Sequence, residues 1–99
     1  MRLQNKVAII TGGSRGIGFE TARTFLREGA TVILAGSREE TAQKAVSQLR
    51  EEFPEAKVDG IWPNLSHLSE VKEAFDRVLK KYGRIDILVN NAGISESTP

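Results

Sequence analysis

The residues with the most chemical meaning in this chain are glycines and arginines, not paired acids or nucleophiles. The stretch Thr11-Gly12-Gly13-Ser14-Arg15-Gly16-Ile17-Gly18 follows an apolar run, Val7-Ala8-Ile9-Ile10, and precedes a segment of helical periodicity. A helix N-terminus offers unpaired N–H groups and a partial positive charge, and a glycine-rich turn opening a helix lets phosphate oxygens approach both. Three uses are open to such a turn: a dinucleotide cradle, a nucleoside-triphosphate loop, or a tight turn with no ligand. A triphosphate loop needs Lys and then Ser or Thr straight after its last glycine. Gly13 to Gly18 has the right gap, but Phe19 and Glu20 follow, so that reading fails at both positions. The strict G-x-G-x-x-G dinucleotide spacing is not met either, because Gly12, Gly16 and Gly18 give G-x-x-x-G-x-G.

Other chemistries are quickly bounded. The absence of cysteine excludes disulfides and thiolate metal sites, and His67, the single histidine, cannot make a metal site, so no metal is expected. The only tyrosine, Tyr82, continues the apolar face of a predicted helix, which makes it a core residue with a solvated hydroxyl. His67 falls near a helix start and is expected to be solvated. Ser95 and Ser97 are loop serines without a general base nearby in sequence.

The elements that must position the glycine turn alternate along the chain as strand and helix, the pattern of βα units around a parallel sheet. Strands are predicted at Val7 to Thr11, Thr31 to Gly36, Lys57 to Trp62 and Asp86 to Asn90. The first helix runs from Gly16 to Glu28 with Ile17, Thr21, Ala22, Phe25 and Leu26 on its core face, and Gly29 stops it. Ser37-Arg38-Glu39-Glu40 has the S-x-x-E spacing of a capping box and opens the second helix, whose core face is Ala42, Ala45, Val46 and Leu49. Pro54 ends that helix. A third helix, from Ser66 to Tyr82, carries Leu68, Val71, Phe75, Val78, Leu79 and Tyr82 on one face and is closed by Gly83. Right-handed crossovers with helices on both faces make 3-2-1-4 the simplest strand order, half of a doubly wound α/β fold. Strand four is then an edge, although Ile87-Leu88-Val89 is as apolar as a strand buried on both faces. The chain therefore looks unfinished, with Ser95-Glu96-Ser97-Thr98-Pro99 as a loop leading onward.

Composition agrees with one folded unit over 1–99: 39% of residues are hydrophobic, 27% are charged, and the formal net charge is +1. Near-neutral charge with scattered lysines argues against nucleic acid as a partner. No run is long enough to span a membrane, and the first residues lack the apolar core of an export peptide, so a cytoplasmic location is expected.

TGGSRGIG resembles the T-G-x-x-x-G-x-G turn of the short-chain dehydrogenase/reductase family, and Asn90-Asn91-Ala92-Gly93 resembles a second family motif at the end of the fourth strand. The resemblance covers essentially all 99 residues but only the N-terminal, NAD(P)-binding Rossmann half of a family chain. It implies that Gly12, Ser14, Arg15, Gly16, Ile17 and Gly18 face the pyrophosphate and adenosine ribose. Asn64-Leu65 would contact the adenine, where the family more often has Asp, and the Asn oxygen can still accept from the adenine amino group. Asn91, Ala92 and Gly93 would line the adenosine side, Ile94 would approach the nicotinamide half, and Asn90 with Thr11 would brace the sheet.

An NAD site places an acidic residue about 20 positions after the glycines, at the end of the second strand. Gly36-Ser37-Arg38 stands there instead. A carboxylate would repel a 2′-phosphate, whereas the planar forks of Arg15 and Arg38 suit one, at about 1.5–3 kcal/mol per charged hydrogen bond. NADP (NADPH) is therefore the expected cofactor, with NAD less favoured. Two solvated arginines, or Glu39 and Glu40 as ribose ligands, are the competing readings.

The family's catalytic Tyr-x-x-x-Lys is absent, since Asp86 stands four positions after Tyr82. No catalytic residue can be carried over. The parent activity implied by the resemblance is interconversion of a secondary alcohol and a ketone, of hydroxysteroid or 3-oxoacyl type, by a homo-oligomer acting on a small molecule. The alternative is a naturally short, non-catalytic dinucleotide-binding module.

Overall fold

Residues 2–12 and 16–91 are described in the structure, a computed structural model. Four strands, β1 (Val7–Thr11), β2 (Thr31–Ala35), β3 (Val58–Ile61) and β4 (Ile87–Asn90), alternate with three helices, α1 (Gly16–Arg27), α2 (Glu39–Glu52) and α3 (Leu68–Tyr82). The sheet is parallel throughout and its order is β3-β2-β1-β4, the simplest order expected from right-handed crossovers.

The two central strands explain their own composition. Every residue of β1 is buried, and β2 is buried from Val32 onward, because both faces are covered. Side chains alternate: Ile10, Val32 and Leu34 pack with Ala22 and Leu26 of α1 and Val46 and Leu49 of α2. Val7, Ile9, Ile33 and Ala35 point the other way, toward Val78, Phe75 and Tyr82 of α3. Each fully buried Ile or Leu contributes about 1.5–3 kcal/mol, so these two layers hold the strand ends in a fixed row.

Several expectations need correction. The capping box does not form: Arg38, with φ −140° and ψ 149°, is the N-cap of α2 and makes no side-chain cap bond. Helical backbone begins at Glu39, one residue later than a Ser37 cap demands, so Ser37 and Glu40 are out of phase. Glu39 and Glu40 favour the first turn through the helix dipole instead. On α1 the buried positions are Gly18, Phe19, Ala22 and Leu26, while Ile17 is 69% exposed. The helix leaves the turn rotated by about one residue from the assumed phase, which brings Phe19 inward. On α3 only Ala74 and Val78 are buried, and Leu68 and Leu79 are exposed. The apolar stripe is real, but among the described residues no second helix lies beside α3 to cover its flank.

The left-handed Gly83, φ 81°, donates to Leu79 O at 2.8 Å and ends α3 as anticipated. β4 pairs with β1 alone, and Leu88 on it is 55% exposed. At its start, Asp86 accepts a hydrogen bond from the Val7 amide at 2.9 Å and is held by Arg84 at 2.7 Å.

Candidate functional site

Parallel pairing brings the carboxyl ends of all four strands to one side of the sheet, with Ala35 and Asn90 both in register with Thr11, and Ile61 with Ala35. Backbone bonds continue the ladders past the strands. Gly12 N–H donates to Ala35 O at 3.0 Å, Gly36 N–H to Ile61 O at 2.9 Å, and Asn91 N–H to Thr11 O at 3.3 Å. Beneath them Thr11 is buried, its Oγ1 2.9 Å from Asn90 Oδ1 and 3.3 Å from Val89 O, the sheet brace expected of that pair.

Along this edge the predicted residues take different positions. Gly12 and Gly16 both have φ of +64°, left-handed values that suit glycine, and a Cβ on Gly16 would meet nothing within 4 Å. Among the described residues, space is therefore open beside Gly16 at the start of α1, where the Gly16, Ile17 and Gly18 amides belong to the unpaired first turn. Ser37 and Arg38 are exposed between β2 and α2, and the Ser37 hydroxyl is not spent on a helix cap. At Gly36, an added Cβ would come 3.2 Å from Ala42 Cβ, so glycine lets α2 close onto the end of β2. Asn64 and Leu65 are exposed beyond β3. Ser14, Arg15, Ala92 and Gly93 lie outside the described residues, as does Ile94.

Asn91 is half-buried, and its side-chain Nδ2 is a buried donor with no hydrogen-bond partner among the described residues. A buried donor left unmet costs about 1–3 kcal/mol. It stands at the end of β4, across β1 from β2, beside the glycine turn.

The row runs Asn64-Leu65 beyond β3, Ser37-Arg38 beyond β2, Gly12 beyond β1 and Asn91 beyond β4. At about 4.8 Å per strand, its three spacings cover roughly 14 Å. A ligand meeting the whole row is extended, with its phosphates near the middle, over β1. A separate groove of about 430 Å³ between β3 and α3, lined by Ile61, Trp62, Arg77 and Tyr82 among others, shares no lining residue with this row.

A model of the short chain dehydrogenase family matches residues 6–99. The chain belongs to that family. It is 51% identical over 98 residues to a 3α-hydroxysteroid dehydrogenase of Mediterraneibacter gnavus, covering 99% of this chain and 39% of that protein. It is 45% identical over 95 residues to a 3-oxoacyl-[acyl-carrier-protein] reductase of Thermotoga maritima, covering 96% of this chain and 38% of that one. Among solved structures it superposes on the C-domain, with NADP, of a bacterial malonyl-CoA reductase, with TM-score 0.82 and 34% identity over 91% of this chain and 15% of the other. This short-chain dehydrogenase sequence thus spans about two-fifths of the length of the curated relatives it matches.

Tyr82 makes a contact that bears on chemistry. Half-buried against the core as expected, it also donates its hydroxyl to Asp59 Oδ2, which accepts from Lys81 at 2.7 Å. Burial, then the Asp59 contact, raise the phenol above its ordinary pKa. Asp59 would be raised by burial, but the bonds from Lys81 and Tyr82 outweigh it and leave the carboxyl below its usual value. Tyr82 ends α3 and meets the start of β3, at the opposite end of the sheet from the glycine turn. It is a structural tie.

Sequence reasoning missed Glu70. Its Oε1 accepts from the Asn64 amide at 3.1 Å and its Oε2 lies 3.0 Å from His67 Nδ1. The available signal was a glutamate in the third position of a helix, where carboxylates bind upstream amides.

Proposed function

We propose that residues 1–99 are the NADP-binding part of a longer, cytoplasmic short-chain dehydrogenase that interconverts a secondary alcohol and a ketone of hydroxysteroid or 3-oxoacyl type. The observation that carries this reading is the row of strand ends, in which Gly12 stands in the middle and Ser37-Arg38 and Asn91 flank it. The orphaned Asn91 Nδ2 and the open space beside Gly16 fit a polar ligand seated there.

Each residue then has a task. Gly12, Gly16 and Gly18 keep side chains away from the pyrophosphate, and the first-turn amides of α1, Ile17 included, donate to it together with Ser14 and Arg15. Arg38, exposed at the cap of α2, forks onto the 2′-phosphate with Ser37 beside it, and Gly36 leaves no carboxylate to repel that phosphate. Asn64 and Leu65 border the adenine, and Asn91, Ala92 and Gly93 border the ribose. When bound, the nicotinamide supplies or accepts the hydride exchanged with the substrate carbon. This chain's own tyrosine takes no part in proton transfer, being tied to Asp59. The acid–base group belongs to the rest of the protein.

The two relatives' names support the steroid and 3-oxoacyl classes in that order of identity. The test is to express the longer protein and follow NADPH oxidation with a 3-oxosteroid and a 3-oxoacyl thioester. Turnover of either with NADPH, and none by residues 1–99 alone, is expected. A native protein that binds NADP but turns over neither substrate would favour the non-catalytic module instead.

A further inference from the structure

The loop after β3 is closed more tightly than its exposure suggests. Ser66 N–H donates to Asn64 Oδ1 at 2.9 Å and His67 N–H donates to Asn64 O at 2.9 Å, which folds residues 64–67 into a turn ahead of α3. His67 is the N-cap of α3 but makes no side-chain cap bond, so nothing on the cap residue itself fixes where the turn points. Glu70, one turn into the helix, takes over that task. Its Oε1 receives the Asn64 amide at 3.1 Å, and its Oε2 meets His67 Nδ1 at 3.0 Å. One carboxylate thus grips the first and last residues of the turn. The hydrogen bond with His67, then that from Asn64, hold the Glu70 carboxyl below its ordinary pKa.

We infer that Glu70 is a positioning residue for nucleotide binding, holding Asn64 and Leu65 where they meet the adenine. The inference rests on the proposed placement of the base against those two residues. A carboxamide oxygen has two acceptor sites, so the bond to Ser66 leaves Asn64 Oδ1 one for the adenine amino group. Fixing the Asn64 backbone from below sets the direction of that remaining site. Glu70 itself needs no contact with the ligand.

Because the loop is exposed, its closure adds little to global stability, and loss of Glu70 is felt as freedom of Asn64 rather than as unfolding. The test uses the 99-residue chain and NADP⁺, with binding followed by fluorescence of Trp62, the sole tryptophan, which is 38% exposed and two residues before Asn64. Glu70→Ala should weaken NADP⁺ about two- to tenfold, the range of one net hydrogen bond, with the melting temperature unchanged. Glu70→Gln keeps an acceptor for the Asn64 amide and a donor for His67, and should bind as the unsubstituted chain does. Leu65→Ala reports separately on where the base lies. If Leu65→Ala weakens binding and Glu70→Ala does not, the positioning role is wrong. If Glu70→Gln fails as badly as Glu70→Ala, charge rather than positioning is at work, and the inference is equally overturned. If Leu65→Ala and Glu70→Ala both bind normally, or the unsubstituted chain binds no NADP⁺, the placement of the adenine fails and the inference with it.

Discussion

Asn91→Leu should make the ligand-free chain more stable and its cofactor binding weaker, two effects of opposite sign from one substitution. The Asn91 side-chain nitrogen is buried and carries two donors with no partner among the described residues, at a cost of about 1–3 kcal/mol. Leucine has a similar volume and no donor. Since Asn91 as a whole is only half-buried, the low end of that range applies, about 1 kcal/mol recovered. For a domain of this size such a gain raises the melting temperature by about 4–8 °C. The same amide, if it meets the cofactor, contributes a neutral hydrogen bond there, and its loss weakens NADP⁺ about two- to tenfold. Thermal melting without ligand and calorimetric titration with NADP⁺ read the two effects independently. A lower melting temperature would show that the amide is already satisfied in the free protein. A higher one with unchanged NADP⁺ affinity would show that it faces something other than the cofactor.

Two further substitutions probe the frame that carries the site. Leu88 lies 55% exposed on the edge strand β4, so the 99-residue chain should self-associate in sedimentation experiments, and Leu88→Lys should shift it toward monomer; a wild-type monomer at all concentrations would contradict this. Asp86 is held below its ordinary pKa by Arg84 and then by the Val7 amide. A depressed carboxyl stabilises the fold above its unfolded pKa, and that contribution is lost as pH falls through the lower folded value. Asp86→Asn should therefore lower the melting temperature at pH 7, with the difference from wild type shrinking below about pH 4; a constant difference across that range would remove the charged bond from the account.

How much of this was readable in the residues depended on how local each determinant is. β1 and β2 were legible because strands covered on both faces must be apolar throughout, and Val7-Ala8-Ile9-Ile10 and Val32-Ile33-Leu34 satisfy that without reference to anything distant. Strand order followed from handedness, which no side chain can override cheaply. The phase of α1 was not legible, because the turn before it decides which residue first points inward, and Phe19 took the place expected of Ile17. The capping box at Ser37 failed for a related reason. Spacing identifies candidates for a cap, but backbone φ and ψ choose among them, and here they chose Arg38. The stripe on α3 was visible while its burial was not, since burial depends on neighbours that the stripe does not encode. Tyr82 and Asp59 are 23 residues apart, and the Asn64–Glu70 contact needs the loop conformation, so both ties emerged only in three dimensions. At the candidate site, spacing singled out the glycines, Ser37 and Arg38 as candidates and the family resemblance added Asn91, whereas the unpaired state of the Asn91 amide was not legible.

The claim that this row of strand ends is an NADP cradle stands most directly on Arg38. Its guanidinium is exposed at the cap of α2 and makes no ion pair among the described residues, so it gives up no protein contact to meet a 2′-phosphate. Calorimetric titration of the wild-type chain and Arg38→Ala with NADP⁺ and NAD⁺ compares ligands that differ only in that phosphate. The account predicts that wild type prefers NADP⁺, that Arg38→Ala loses about tenfold or more of its NADP⁺ affinity, and that NAD⁺ binding is unchanged. Equal losses for the two dinucleotides, or no preference in wild type, would contradict it.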